Sequence, residues 1–277
     1  MKRISAVFLC FSIALAATGK DLMPANKNKN EDPRALRLEY PKLKSGRKNL
    51  LIVHTTADYG INFSLEWNCR KKANRWTCYE MYDGNTCTSG RRTNTFREDK
   101  AIPKEYRTTL SQYAGSGFSR GHLCPSADRL CSREQNDQTF LLSNMQPQYQ
   151  KHNGGLWSKL EAQVRKWNNA AFRDTLYVVK AATIDHKSQT YGYTKKGLLI
   201  PKFFYMAVLC KKGNTYKAIG IWTEHKNERA NGKQLAQYAI SIDELEQRTG
   251  IDFFCNLPDE IEDRVERELI PEAWGLK

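Results

Sequence analysis

In the stretch "GFSRGHLCPSADR" (residues 117–129) an arginine, a glycine and a histidine stand side by side, and Asn144, Gln148, Asn153, Glu161 and Arg165 follow within the next 36 residues. Residues two apart in an extended segment point to the same side, so Arg120 and His122 share a face. An imidazole titrates near ~6.5 and is largely neutral where it must accept a proton, which makes His122 a candidate general base. Glu161 and Arg165 are four apart, one helical turn. Asn153 precedes Glu161 by eight residues, which in a regular helix is ~80° around and roughly 12 Å along the axis. Two groups so placed do not both grip one ion tightly. A carboxylate leaning toward the helix N-terminus can instead hold a water of an ion bound by the asparagine. Magnesium suits that pattern, because it keeps several waters and takes few protein oxygens, and manganese is the expected substitute.

Phosphodiester hydrolysis needs a base for water, positive charge for the transition state and help for the leaving oxygen. His122 fits the first need, and Arg120 with Arg165 fits the second. Each residue also has a plainer reading. Asn153 can cap a helix, and Glu161 with Arg165 can be a solvated ion pair worth a few tenths of a kcal/mol. His122, Cys124 and Cys131 hint at zinc but lack a convincing second pair. His54, His152, His186 and His225 have no comparable neighbours and read as structural, although His152 adjoins Asn153.

The segments "SRGHLCPSADR", "LLSNMQPQ" and "HNGGLWSKLE" together resemble the DNA/RNA non-specific endonucleases of the ββα-metal, or His-Me finger, class. That family's pattern is usually DRGH, then S-N-x-x-P-Q, then an asparagine nine residues beyond the motif's own and a glutamate eight further on. Here Asn144 to Asn153 is nine and Asn153 to Glu161 is eight. The resemblance runs from about residue 48 to 258 and takes in "FRED" (96–99) and "QYAGSGF" (112–118). It implies His122 as base, Asn153 as direct magnesium ligand, Glu161 acting through metal-bound water, and Arg120 and Arg165 near the phosphate. It further implies that Asn144 supports the metal site and that Arg97 and Ser119 are weaker substrate contacts. The implied substrates are DNA and RNA, cut with little sequence preference to leave 5′-phosphates. One position departs from the pattern. Ser119 stands where the family most often has aspartate, which leaves open a nucleic-acid-binding protein with impaired catalysis on the same scaffold.

These side chains need a frame, and strand signals dominate. Residues 51–57, 61–67, 75–82, 175–184, 203–210 and 216–223 are rich in β-branched and aromatic residues and are bounded by turn formers. Short polar connections predict an α+β fold with a mainly antiparallel central sheet flanked by helices. Leu156, Leu160 and Val164, with Trp157 and Trp167, recur at helical spacing over 155–169, and both tryptophans suit core packing. Residues 241–250 read as a short helix capped by Ser241 and ended by Gly250.

Forty-four basic against 30 acidic residues leave a formal charge of +14 spread along the chain, a surface that attracts polyanions. Residues 1–17 read as a secretory signal peptide: Lys2 and Arg3 precede an apolar run too short for the ~20 residues of a transmembrane helix. Export to the periplasm or the outside, without stable membrane insertion, is therefore expected. Residues 18–37 are polar and charged and read as a flexible leader, with one domain over 38–277. Without Cys10, seven cysteines remain, so at least one is free or paired between chains. Cys69–Cys87 and Cys210–Cys255 are the trial pairings.

Overall fold

The computed structural model describes residues 25–228 and 234–276; the expected signal peptide lies outside them. In chain order the regular elements are β1 (Asn49–Thr56), β2 (Gly60–Asn68), β3 (Ala73–Met81), α1 (Leu110–Tyr113), β4 (Ser119–His122), α2 (Arg133–Thr139), β5 (Met145–Gln148), α3 (Ser158–Trp167), β6 (Thr175–Ala182), β7 (Thr190–Tyr193), β8 (Leu199–Pro201), β9 (Phe203–Lys212), β10 (Thr215–Glu224), β11 (Ala239–Ile240), α4 (Ile242–Thr249) and α5 (Asp259–Arg267). A seven-stranded sheet runs in the order β1-β2-β3-β6-β9-β10-β11, and every neighbouring pair is antiparallel. The fold is α+β, as the strand-rich sequence predicts. No described helix is long and apolar enough to cross a membrane.

The central strands read as unbroken apolar runs because both sheet faces are covered. Side chains alternate across a strand. In β9, Phe204, Met206, Val208 and Cys210 enter one core, while Tyr205, Ala207 and Leu209 enter the other. The first core takes Leu160, Val164 and both Trp157 and Trp167 from the long helix, so the tryptophans pack inside and do not stack on bases. The second takes Ile242 and Leu245 of α4 and Val265 of α5. Full burial of such side chains contributes ~1.5–3 kcal/mol each. Ser241 caps α4 by accepting the Glu244 N–H at 3.1 Å, and Gly250 ends it in the left-handed region at φ 65°.

Two expectations are corrected. Residues 25–37, read as flexible leader, are fastened to the C-terminal part of the fold. Asn26 Nδ2 donates to the Leu257 carbonyl at 2.6 Å, the Asn30 N–H donates to Asn256 Oδ1 at 3.0 Å, and Ala35 is fully buried. Asparagines that look solvent-bound in sequence here satisfy backbone groups, so the segment is ordered by hydrogen bonding more than by apolar burial. The trial disulfides are also replaced, by Cys87–Cys131. Cys69 and Cys210 belong to the first core, and Cys255, donating to the Tyr40 carbonyl, lies on the side of the second. The sheet separates Cys210 from Cys255.

The Cys87–Cys131 link closes a 44-residue loop that carries β4. A double Cys87→Ala, Cys131→Ala variant is expected to lose ~2–4 kcal/mol of stability in denaturant melts. Thiol titration of the native processed protein should find the five buried cysteines unreactive until the chain is unfolded.

Candidate active site

The site is built on a two-stranded ladder outside the main sheet. Strand β4 pairs antiparallel with β5, with Ser119 opposite Gln148, Arg120 opposite Pro147 and His122 opposite Met145. Gly121 is required between the arginine and the histidine. A Cβ there would lie 2.1 Å from Gln148 Oε1. The ladder is locked at its end by Asn144, which is fully buried. Its Oδ1 accepts the Cys124 N–H at 2.9 Å, and its Nδ2 donates to the carbonyls of Cys124 (2.8 Å) and Thr139 (2.9 Å). This amide therefore holds the chain just beyond His122 and has no atom left for an ion.

Beyond Gln148 the chain enters a helix at residue 150, and His152–Trp157 form a π-helical stretch before α3 begins. Asn153 is thus inside the helix, its N–H donating to the Tyr149 carbonyl at 2.9 Å, and is not a cap. Gly154 and Gly155 allow the distortion. Each i→i+5 turn takes in one residue more than an α turn. The eight residues from Asn153 to Glu161 therefore come closer to two whole turns than the ~80° offset of a regular helix allows. Widening the first turn brings the amide and the carboxylate toward one face.

Among the described residues, the side chains of Arg120, His122, Asn153 and Glu161 make no hydrogen bond to the protein, whereas Asn144, Arg92 and Arg165 near them are hydrogen-bonded. His122 Nε2 is buried without a partner. Its ring packs edge-on against Phe140 at 5.0 Å and near Phe96 at 5.9 Å, and its carbonyl accepts from Trp157 Nε1 at 3.4 Å. Arg120 lies over Phe96, 4.0 Å from the ring centre. Arg120 and Asn153 line one open groove together with Arg92, Phe96, Ser119 and Gln150.

The electrostatics of these groups differ in sign. Burial, followed by the nearby Arg92 and Arg120 guanidinium groups, pulls His122 down to about 3, so the ring is neutral. Burial pushes Glu161 up to about 7, partly offset by Lys180, Arg165 and Arg92 and reinforced by Asp128. The charge of Arg92 bears on both groups, lowering each. An unpartnered amide and an unpartnered, partly desolvated carboxylate on one helical face are oxygen donors suited to magnesium.

Residues 51–260 match the family model of the DNA/RNA non-specific endonucleases. The chain belongs to that family. Similar proteins include a nuclease from Nostoc sp., 31% identical over 75% of this chain and 76% of the relative, and nuclease C1 of Cunninghamella echinulata var. echinulata, 27% identical over 71% and 81%. The mitochondrial nuclease EXOG of Xenopus laevis is 29% identical, with 73% of this chain covered and 59% of that protein. The crystal structure of an EndoG/EndoGI complex shares the fold, with a TM-score of 0.66 and 20% identity over 78% of this chain and 91% of that one.

In this nuclease the remaining candidates divide. Ser119 lines the groove, and its hydroxyl donates to Gln150 Oε1, so it ties β4 to the helix start without a charge. Arg165 donates to Asp128 Oδ1 at 3.1 Å, leaving the guanidinium one third exposed behind Glu161. Arg97 is turned away: Nη1 donates to Thr95 and to the Asp137 carbonyl, and it does not line the groove. Arg92, not Arg97, lines the groove. Its Nη1 donates to Ser126 Oγ at 2.9 Å and its Nε to Asn94 Oδ1 at 2.7 Å. It stands in a loop with no periodicity, beside a second arginine, so nothing local marks it. His152 does not touch the site, since Gln148 Nε2 and Thr223 Oγ1 occupy both ring nitrogens.

Asn144→Ala should cost roughly 2–4 kcal/mol in urea melts, because it removes several buried hydrogen bonds and leaves both Cys124 backbone groups without partners. An NMR titration of the metal-free nuclease should show the His122 ring neutral from pH 8 to pH 5. The sign follows from linkage. A folded-state pKa of about 3 lies below the unfolded value of ~6.5, so this ring makes stability fall as pH drops from that value toward 3.

Proposed function

We propose that this nuclease hydrolyses phosphodiester bonds of DNA and RNA with little sequence preference, using water deprotonated at His122 and leaving 5′-phosphate ends. The observation that carries this reading is the set of four side chains, Arg120, His122, Asn153 and Glu161, that stay free of hydrogen bonds beside Asn144, Arg92 and Arg165, which are held by their own. A site prepared this way can act on a ligand at once, without first breaking internal contacts.

His122 Nε2 takes the proton. Its depressed affinity for protons keeps it unprotonated and available, and Phe140 and Phe96 fix the ring plane. Arg120 and Arg92 face the same groove and supply positive charge for the phosphoryl oxygens. Asn153 and Glu161 are the residues that would hold magnesium, or manganese in its place, Asn153 directly and Glu161 through water. When bound, the ion supplies Lewis-acid help for the leaving oxygen. DNA has no 2′-hydroxyl, so water is the nucleophile available on both substrates. Contacts made to phosphate by arginine carry no sequence information, which accounts for weak preference. The Cys87–Cys131 bond suits an oxidising compartment, in keeping with export to the periplasm or beyond.

Processed protein is incubated with supercoiled plasmid and with structured RNA, in magnesium and in EDTA. Both substrates should be cut in magnesium only, and His122→Ala should cut ~10²–10⁴-fold more slowly while binding nucleic acid about as well. Cleavage at an unchanged rate by that variant would remove His122 from the role of base.

A further inference from the structure

A second group of carboxylates lies on the opposite side of the sheet, among the helices that cover the second core. Asp243 and Glu246 of α4 and Glu266 of α5 each bring one oxygen within 4.8 Å of the other two. Glu266 is 7% exposed, and its Oε1 is buried with no hydrogen-bond partner. Among the described residues, no lysine, arginine or histidine forms a salt bridge with any of the three. Their surroundings add more acid. Asp252 and Glu262 accept from Asn28 Nδ2 at 3.2 and 2.9 Å, and Glu246 accepts the Phe253 N–H at 2.6 Å. Lys42 offsets the charge of Asp252, but its ammonium donates to the carbonyls of Asn28 and Lys29.

Like charges this close, and this far from a counter-charge, are unfavourable unless something positive neutralises them. Burial and the neighbouring carboxylates push Glu266 up to about 10; burial in the main, with its acidic neighbours, pushes Glu246 up to about 8. We propose that Asp243, Glu246 and Glu266 bind a hard divalent cation of calcium's size, at a site separate from the one that cuts phosphodiesters. The donors are all oxygens, with no imidazole or thiolate to favour zinc. Calcium sits 2.3–2.6 Å from its ligands, so oxygens on opposite sides of one ion are ~5 Å apart, and the observed spacing falls inside that span. Magnesium's shorter bonds and strict octahedron fit three convergent carboxylates less well. The ion bridges α4 to α5. Through Asn28, Asp252 and Glu262 it also steadies the ordered segment at residues 25–37, so its effect is on the stability of the second layer and not on the chemistry in the groove.

The test uses the full processed protein carrying Asn153→Ala, which removes the proposed catalytic ligand from the readout. After EDTA treatment and its removal, isothermal titration should show one calcium bound, and calcium at ~100-fold above its Kd should raise Tm by roughly 5 °C. Both effects should vanish when Glu266→Gln is added, and equally when Glu246→Gln is added, so that poor folding of one variant does not decide the matter. Absence of calcium uptake in the parent, or uptake and a melting shift kept in both glutamine variants, would overturn the site. An equal shift from the same concentration of magnesium would overturn its assignment to a calcium-sized ion.

Discussion

The antiparallel pairing of Ser119–His122 with Met145–Gln148 sets the distance between the imidazole and the helix that faces it. The chain leaves β5 at Gln148 and is helical two residues later, so the register of this ladder fixes where Asn153 stands relative to His122. Gln148 secures both ends of the relation. Its side chain fills the space that a Cβ on residue 121 would need, and its Nε2 meets His152 Nδ1 at 2.7 Å inside the helix. A slip of one residue would turn His122 to the other face of the ladder. Asn144 opposes that slip with three hydrogen bonds at the ladder's closed end.

Behind the groove, a buried set of charges governs the helix face. Asp128 is fully buried and accepts from Tyr79 Oη at 2.8 Å and from Arg165 at 3.1 Å, while Lys180 Nζ lies 3.9 Å away with no hydrogen bond. Two cations and one anion leave an excess of positive charge, and an ionised Glu161 restores the balance. Lys180 projects from β6 into the first layer, so the sheet itself delivers the charge that favours the carboxylate form. Burial works against it. The outcome is a glutamate held near neutrality, readily biased toward ionisation by a further cation in the groove.

How much of this could be read from residue order depends on the range of the forces involved. The six long strands and α4 follow local periodicity and capping, and the structure places each within two residues of its expected bounds. His122, Asn153 and Glu161 are singled out by type and spacing because the segments joining them are short. Residue order does not tell that Arg92 lines the groove and Arg97 does not, since the difference arises from contacts with Ser126 and Asp137, more than thirty residues away. Residue order does not announce the π-helical turn at His152–Trp157, because two glycines permit the distortion without specifying it. Helix α5 escaped notice for another reason. Only Ile261 and Val265 are apolar in a run of charges, and the rest of its packing face comes from Glu262 and Glu266. The order of residues 25–37 is likewise invisible locally, as its partners are more than two hundred residues distant.

A sheet with two covered faces also keeps two groups of ionisable side chains apart. Arg92 and Arg120 point into the groove on one side, whereas Asp243, Glu246, Asp252, Glu262 and Glu266 gather on the other. At physiological salt a Debye length of ~8 Å keeps the charges on one surface from acting strongly on the other. Basic residues exceed acidic ones across the whole chain, yet grouping acid on the far layer makes the charge uneven as well as positive. With Glu246 pushed up to about 8 and Glu266 to about 10, the carboxyls of α4 and α5 lie this close only with protons or a cation between them, which is the place the proposed calcium-sized ion takes across the sheet from the imidazole.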